Sequence, residues 1–544
     1  MDINDLKQLC FRSVVLFLVF FAAGCGEPTG IDKEPVSPAP EIDLGTTIGA
    51  LTEASHFESI IVEGYGLVGG LNGTGSSECP TQVRDYLKQY IMRQLAEDKV
   101  NINELIDSRD TAVVVVQGIM PTAVPKGQYF DVKVVALPGT QTISLEGGWL
   151  YGAELKAAGG FGFAMKVLAT AKGPVFIDTL SSGEKDKKMG YILGGARVLD
   201  EYELNIGLRR PDYKAASLIS NKLNGRFGTG TARAVSPSQI ELKVPDAYEE
   251  QKRRFASIVR AMYLNETPEA TKERINNFVR KLAVSKDKLT AETALEAIGN
   301  ESIDKVTALL NSSQQQVRLG AARCLLNMGD DRGLNVLREI ASDKDSPYRI
   351  EALDAIAVSA RRNDAISISR NLLRDDDFDI RLAAYENLRK LDDILITQKL
   401  IAGSFYLEQI TQTEHKGIFV SRSGQPRIVL FGAPIYCRDD IFIQSSDGAI
   451  TINAPAGQNY VSIIRKHPKR PNVMVELKSS FELGDIIQTL CEEPLKRSER
   501  ERRGLNVSYA EAITLLKQMC DKAAVQAEFR VGPLPEMDLI VKRK

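Results

Sequence analysis

VRLGAARCLLNMGD (317–330), YRIEALDAIAVSAR (348–361) and IRLAAYENLRKLDD (380–393) are three versions of one phrase. Their arginines, Arg318, Arg349 and Arg381, stand 31 and 32 residues apart, and Ala321, Ala352 and Ala384 follow each by three. A weaker copy starts near Leu289. Apolar residues recur at helical spacing, and the period leaves room for two short helices per unit. One helix pair cannot bury its apolar face alone. Stacked neighbours can, and the small alanines let helices approach closely. The spacing predicts an all-helical stack with its core over 286–395, expected to fold as its own unit and to project from the rest of the molecule.

The repeats resemble HEAT-type α-solenoid units. Outside 266–405 the texture is α+β. Thr81–Glu97 carries Val83, Tyr86, Leu87, Tyr90, Ile91 and Leu95 on one helical face. Asp212–Asn224 reads as a helix stopped by Asn224-Gly225. His56–Val62, Thr111–Val116, Tyr129–Ala136, Gln239–Val244, Arg427–Phe431, Asp440–Gln444, Ala449–Asn453 and Ala527–Val531 read as strands, and Leu483–Cys491 and Ser508–Cys520 as helices. The expected fold class is therefore α+β multidomain, two α/β blocks interrupted by an all-α solenoid. The expected bounds are a leader at 1–24, a tether at 25–44, a block at 45–265, the helical insert at 266–405, a block at 406–531 and a tail at 532–544.

Residues 1–25 read MDINDLKQLCFRSVVLFLVFFAAGC, with Lys7 and Arg12 ahead of a ten-residue apolar run, Val14–Ala23. A helix spanning a bilayer needs roughly 20 such residues, so this run fits a secretory h-region. Ala22-Ala23-Gly24-Cys25 resembles a bacterial lipobox, which predicts lipidation of Cys25; the alternative is an ordinary signal peptide with a chance cysteine. Gly26, rather than Asp, follows Cys25 and by resemblance to bacterial sorting rules favours the outer membrane. Pro28, Pro35, Pro38 and Pro40 favour an extended tether. Cys79, Cys324, Cys437, Cys491 and Cys520 remain, an odd number whose pairing sequence does not select.

Composition narrows the chemistry. The 544 residues carry 69 basic and 71 acidic side chains, net −2, which argues against a generally basic nucleic-acid binder. His56, His415 and His467 lie far apart, with no His-x-x-x-His or Cys-x-x-Cys pair for a zinc site. Gly64-Tyr-Gly-Leu-Val-Gly-Gly-Leu-Asn-Gly-Thr-Gly75 contains a dinucleotide-type Gly-x-Gly-x-x-Gly. No helix opens at its last glycine, as the pyrophosphate would require. Gly70–Ser76 lacks the lysine of a phosphate loop. The stretch is read as a loop whose glycines serve unusual backbone angles or close contact between subunits. Glu146 and Glu154 flank Gly147-Gly148-Trp149, a pairing common by chance among so many acids. No nucleophile elbow is present, and no catalytic residue or cofactor is expected.

Gly64–Gly75 also resembles the opening motif of the bacterial flagellar P-ring protein family. In the same order as that family come Thr111–Pro121 with Lys126-Gly-Gln-Tyr-Phe-Asp-Val132, Ser144-Leu-Glu-Gly-Gly-Trp-Leu150, Arg210-Pro-Asp212, Arg226-Phe227-Gly228 and Thr231-Ala-Arg-Ala234. Leu483-Gly-Asp-Ile-Ile487 and Val507–Val531 resemble its closing segment. The resemblance covers 45–265 and 425–531. It implies a non-enzymatic ring subunit in the periplasm, around the flagellar distal rod, as a bushing for rotation. Gly64, Tyr65, Gly66, Gly69, Gly70, Asn72, Gly73 and Gly75 become the candidate assembly motif. The expected partners are further copies of the chain, rod and L-ring proteins, the outer membrane through Cys25, and an envelope or motor component on the insert, with no nucleic acid. Two departures stand out, the lipobox and the helical insert. The alternative expectation is a periplasmic lipoprotein of this fold that binds partners through its repeats.

Overall fold

The structure, a computed structural model, describes residues 45–537 except 54–58, 95–100, 122–123, 160–164, 182, 184–185, 201–203, 468–469 and 495–503. The leader, Cys25, the tether, His56, Leu95, Pro468, the charged loop 495–503 and the end of the tail lie outside the described residues.

A one-turn helix α1 (Ile48–Leu51) and strand β1 (Thr52–Glu53) come first. Six strands then close a barrel: β2 (Ile60–Gly69), β3 (Thr111–Met120), β4 (Tyr129–Ala136), β5 (Trp149–Ala157), β6 (Ala169–Pro174) and β7 (Met189–Val198). Their order is β2-β3-β4-β7-β6-β5, and every neighbouring pair is antiparallel. The β-branched run of β3 suits a pleated, buried surface. Val114, Val116, Val132, Val134, Leu150 and Leu155 fill the interior, and closure removes the sheet edges. Between β2 and β3, α2 (Thr81–Gln94) and α3 (Ile102–Ile106) lie on the outer wall, where Val83, Tyr86, Leu87, Tyr90 and Ile91 cover Leu67 and Val113.

Strands β8 (Leu204–Leu208), β9 (Ala232–Ser236) and β10 (Gln239–Leu242) join β1 in a second sheet, order β1-β8-β10-β9, backed by α4 (Tyr213–Phe227). The expected stop at Asn224-Gly225 is overrun. The helix continues to Phe227 and ends at Gly228, whose φ is 105°. Asn224 instead clamps the helix to β9. Its amide donates to the Ala232 carbonyl (2.8 Å) and accepts from the Ala232 N–H (2.9 Å).

Nine α-helices follow among the described residues: α5 (Lys252–Ala261), α6 (Pro268–Val284), α7 (Lys288–Ile298), α8 (Ile303–Ala308), α9 (Gln315–Asn327), α10 (Arg332–Ser342), α11 (Arg349–Ser359), α12 (Arg362–Leu372) and α13 (Phe378–Lys390). Ala321, Ala352 and Ala384 are fully buried, as is required where helices approach this closely. The array starts at α5, before residue 266, and it does not stand apart. Phe255, Ile258 and Val259 of α5 and Ala297 of α7 share the core of the second sheet.

Strands β11 (Thr397–Ile401), β12 (Phe405–Ile410), β13 (Gly417–Val420) and β14 (Arg427–Phe431) open the last block; β11 lies inside the span read from sequence as helical insert. An antiparallel meander follows, β15 (Ile441–Gln444), β16 (Ile450–Ala454), β17 (Val461–His467) and β18 (Arg470–Ser479), with Lys466 and His467 of the basic run at the end of β17 and Arg470 at the start of β18. The chain ends with α14 (Leu483–Cys491), α15 (Tyr509–Asp521) and β19 (Glu528–Val531). Ser508 and Glu511 form a capping box that starts α15. The main sheet has the order β11-β12-β14-β13-β19 and is parallel at β12–β14 and β13–β19. One face packs under α14 and α15. The other, through Ile410, Phe419, Val429 and Phe431, is covered by the end of the helical array.

Candidate assembly site

Gly64–Gly75, read from sequence as a loop, is half strand. Gly64, Tyr65, Gly66 and Gly69 lie within β2, and only Gly70–Gly75 leave the ladder. The reason is crowding inside the chain. A Cβ on Gly64 would stand 2.0 Å from the Glu154 carbonyl oxygen, and one on Gly75 2.1 Å from that of Thr111. On Gly66 it would meet the Leu150 side chain, and on Gly69 the Tyr151 ring. Special backbone angles are confined to Gly70 (φ 80°), Asn72 (φ 49°) and Gly73 (φ 90°).

The loop is tied down on both sides. Leu71, Gly75 and Ser76 donate N–H bonds to the carbonyls of Asp110 (3.0 Å), Arg109 (2.8 Å) and Thr111 (2.9 Å). The Thr74 hydroxyl reaches the carbonyls of Leu71 and Ser144, each at 2.9 Å. Leu71 plugs the barrel core, so the Asn72–Gly73 tip is held out in solvent. Around it Ile143, Trp149 and Tyr151 are 66%, 48% and 57% exposed. A shallow hollow lined by Gly70, Asn72, Glu104, Asp110 and Tyr151 lies beside the tip. The tip is thus held in place and carries an apolar rim.

The two acids singled out from sequence each have a partner. Glu146 pairs with Lys187 (2.8 Å), and Glu154 accepts from the Tyr86 hydroxyl (3.1 Å). The five described cysteines are free thiols. Burial pushes Cys437 and Cys520 up to about 11, which leaves little reactive thiolate at neutral pH. No group of three or more His, Cys, Asp and Glu suited to a metal occurs among the described residues.

A latch joins the barrel to the last block. Asp131 accepts N–H bonds from Gly424 (2.8 and 2.9 Å) and from Gly194 (2.6 Å), and burial raises its pKa. Arg422 pairs with Asp178 (2.9 Å) and also donates to the Ser181 hydroxyl and the Gly532 carbonyl, both at 2.8 Å. The hydroxyls of Thr179 and Thr514 are 2.6 Å apart. Burial works against the Asp178 charge, yet hydrogen bonds from Ser181, Leu180 and Arg422 outweigh it and hold the pKa below the ordinary value. A lowered carboxylate pKa stabilises the fold above the unfolded-state value, about 4, and that contribution is lost as pH falls through the folded-state value. Asp178→Asn is expected to cost about 2 kcal/mol at pH 7 and to flatten the fall in stability below pH ~4, as read by urea melts across pH. An unchanged acid limb would show that the latch does not hold the blocks together.

The repeat arginines work inside the array. Arg318 donates to the carbonyls of Ser312 (2.8 Å) and Ser313 (3.4 Å), and Arg381 to those of Asp375 (2.7 Å) and Asp376 (2.8 Å). Arg349 donates to the Ala341 carbonyl (3.0 Å) and pairs with Asp375 of the next repeat. Each satisfies carbonyls left over where the chain turns from one helix to the next. Lys288 does the same for Leu282 (2.8 Å) and Ala283 (3.4 Å), with the buried Ala291 three residues on. It is the anchor of the weaker copy near Leu289, missed because the residue type changed from Arg to Lys.

A family model described as flagellar P-ring protein matches residues 48–310, and one described as HEAT repeats matches 277–357. Flagellar P-ring proteins of Thermotoga maritima and Anaeromyxobacter dehalogenans are 34% and 33% identical over 210 and 199 residues. These alignments cover 36% and 34% of this chain and 60% and 51% of the relatives. Over residues 48–310 the chain is similar to flagellar P-ring proteins. The flagellar P-ring protein of Geobacter sulfurreducens is 28% identical over 344 residues, 59% of this chain and 89% of its own length. The first relatives above are matched over 51% to 60% of their own length. A crystal structure of an engineered protein aligns with 33% of this chain and 83% of its own at 19% identity, with a TM-score of 0.18, too low to bear on the fold.

Within the matched residues the structure brings Gly69–Gly75 to one end of the barrel, beside Trp149 and Tyr151 of the second motif, while Gly64 and Gly66 lie along β2 against β5. Asp131, from the Gly-Gln…Asp-Val segment, is the latch. The HEAT arginines stand apart from both. Sequence reasoning missed Asp178, Arg422 and Gly424, which no local pattern marks.

Proposed function

We propose that this chain is a structural subunit of the flagellar P ring, many copies assembling in the periplasm around the distal rod as a bushing. The observation that carries this reading is the P-ring domain match over 48–310. The rigid Asn72–Gly73 tip, with exposed Ile143, Trp149 and Tyr151 beside it, supports a role in contact rather than chemistry. Rod and L-ring proteins are the proposed neighbours. Electron microscopy of isolated basal bodies carrying the tagged chain tests the reading; label absent from the ring position would end it. A second reading, a lipoprotein scaffold that binds partners through its HEAT repeats, is favoured by Ile350 and Val358, 42% and 45% exposed on α11.

The lipobox-like Ala22-Ala23-Gly24-Cys25 supports an outer-membrane anchor at Cys25. More than one acyl chain makes anchoring stable, where a single one is marginal. Labelled palmitate is expected to enter the wild type and not Cys25→Ser, and the variant to leave the membrane fraction unless the ring retains it. A wild type that takes up no label contradicts the anchor.

A further inference from the structure

The meander β15–β18 has two open edges among the described residues. β18 pairs with β17 alone, and Val473, Met474 and Val475 on it are 45%, 64% and 44% exposed. Exposed apolar edges are templates for another strand, and proteins ordinarily shield them. The ladder shows which backbone groups face out. The Lys466 N–H donates to the Ala449 carbonyl (2.8 Å), so even-numbered residues of β17 face β16 and odd-numbered ones face β18. Ile463 and Arg465 stand opposite Leu477 and Val475. Alternation then turns the N–H and C=O groups of Met474, Glu476 and Lys478 outward. On the other edge, the Ser445 N–H donates to the Ile450 carbonyl (2.9 Å) and Ile443 stands opposite Ile452. Phe442 and Gln444 therefore face out. The Phe442 ring is 59% exposed, and its carbonyl accepts a 3.4 Å bond from the exposed Lys522.

We propose that β18 of one copy pairs antiparallel with β15 of the next, so that the meanders of successive subunits join into one continuous belt. This rests on the ring reading above and names the contact that builds the ring. Three observations fit the edges to each other. First, the four strands alternate in direction. A neighbour in the same orientation therefore presents β15 antiparallel to β18. Second, setting Asp440 opposite Lys478 places Phe442 against Glu476 and Gln444 against Met474, so that outward backbone groups meet. In that register Ile441 and Ile443 fall on the same face as Leu477 and Val475, and the neighbour covers the exposed valine; a one-residue slip would flip every side chain. Third, the charges are complementary. Asp439 and Asp440 lead into β15, while Lys478, over the Tyr460 ring at 4.0 Å, sits on β18. Two different edges make a head-to-tail contact, which propagates into a ring instead of ending at a dimer.

The test uses the full-length chain. Paired residues on such strands have Cα atoms about 5.5 Å apart, within disulfide reach. The double variant Asp440→Cys, Lys478→Cys is expected to give a ladder of cross-linked multimers on oxidation, and each single variant and the wild type none. Glu476→Pro removes an outward N–H and keeps the backbone bonds to β17, but it also loses the bond from the Ser462 hydroxyl to Glu476 (2.6 Å). It is expected to lower ring yield about tenfold or more, while Glu476→Ala, which loses that side-chain bond alone, forms rings normally. Wild-type rings with no ladder in the double variant, and normal rings in Glu476→Pro, overturn the pairing and leave the ring reading standing. A wild type that forms no rings at any concentration overturns the ring reading, and the pairing with it.

Discussion

Removing residues 286–395 and joining the ends with a flexible linker is expected to unfold the C-terminal block. The sequence suggested a stack that could be lifted out. In the structure its last helix is one wall of the neighbouring core. Phe378 and Tyr385 of α13 pack edge-on against Phe431, with ring centroids 5.3 and 5.6 Å apart. Ile410, Phe419, Val429 and Phe431 are buried beneath the array. Exposing them costs about 1.5–3 kcal/mol each. Glu408, fully buried, would also lose the Tyr385 hydroxyl (2.5 Å) and Arg389 (3.0 Å). A buried carboxylate without partners is strongly destabilising. Together these losses rival the whole net stability of a domain, about 5–15 kcal/mol. The expected readout is an insoluble or protease-sensitive product. A soluble deletion variant whose last block melts as in the wild type would show that the array is a separable insert.

Gly64→Ala is expected to destabilise the barrel by about 3 kcal/mol or more, while Gly73→Val leaves it folded. At Gly64 the added carbon meets a backbone oxygen of β5 at 2.0 Å, and neither strand of a closed barrel can step aside. At Gly73 nothing lies within 4 Å, and the cost is that of a left-handed backbone, about 1–2 kcal/mol. Urea melts separate the two. Gly73→Val then isolates the tip, since a folded variant that forms no rings places Asn72–Gly73 in a subunit contact. Equal melting of Gly64→Ala and wild type would refute the crowding account, and normal rings from Gly73→Val would take the tip out of assembly.

By itself the sequence determined what depends on near neighbours. Tyr129–Ala136, Arg427–Phe431 and Leu483–Cys491 have the bounds read from it, because alternation, helical period and flanking turn residues are local. The HEAT period was legible for the same reason, since each unit repeats its own demand for a small alanine and a basic anchor. Tertiary structure alone decided the rest. Glycine is depleted in strands, so Gly64–Gly69 read as a loop until β5 supplied the reason for it. The Asp131–Gly424 latch joins residues 293 apart, and neither carries a mark of its partner. Most telling is β14. All five of its residues are buried, which announces a core strand but not what lies on either face. That one face takes α14 and α15 and the other takes the helical array follows from the path of the whole chain, because hydrophobic burial is non-directional and any apolar surface of the right shape satisfies it.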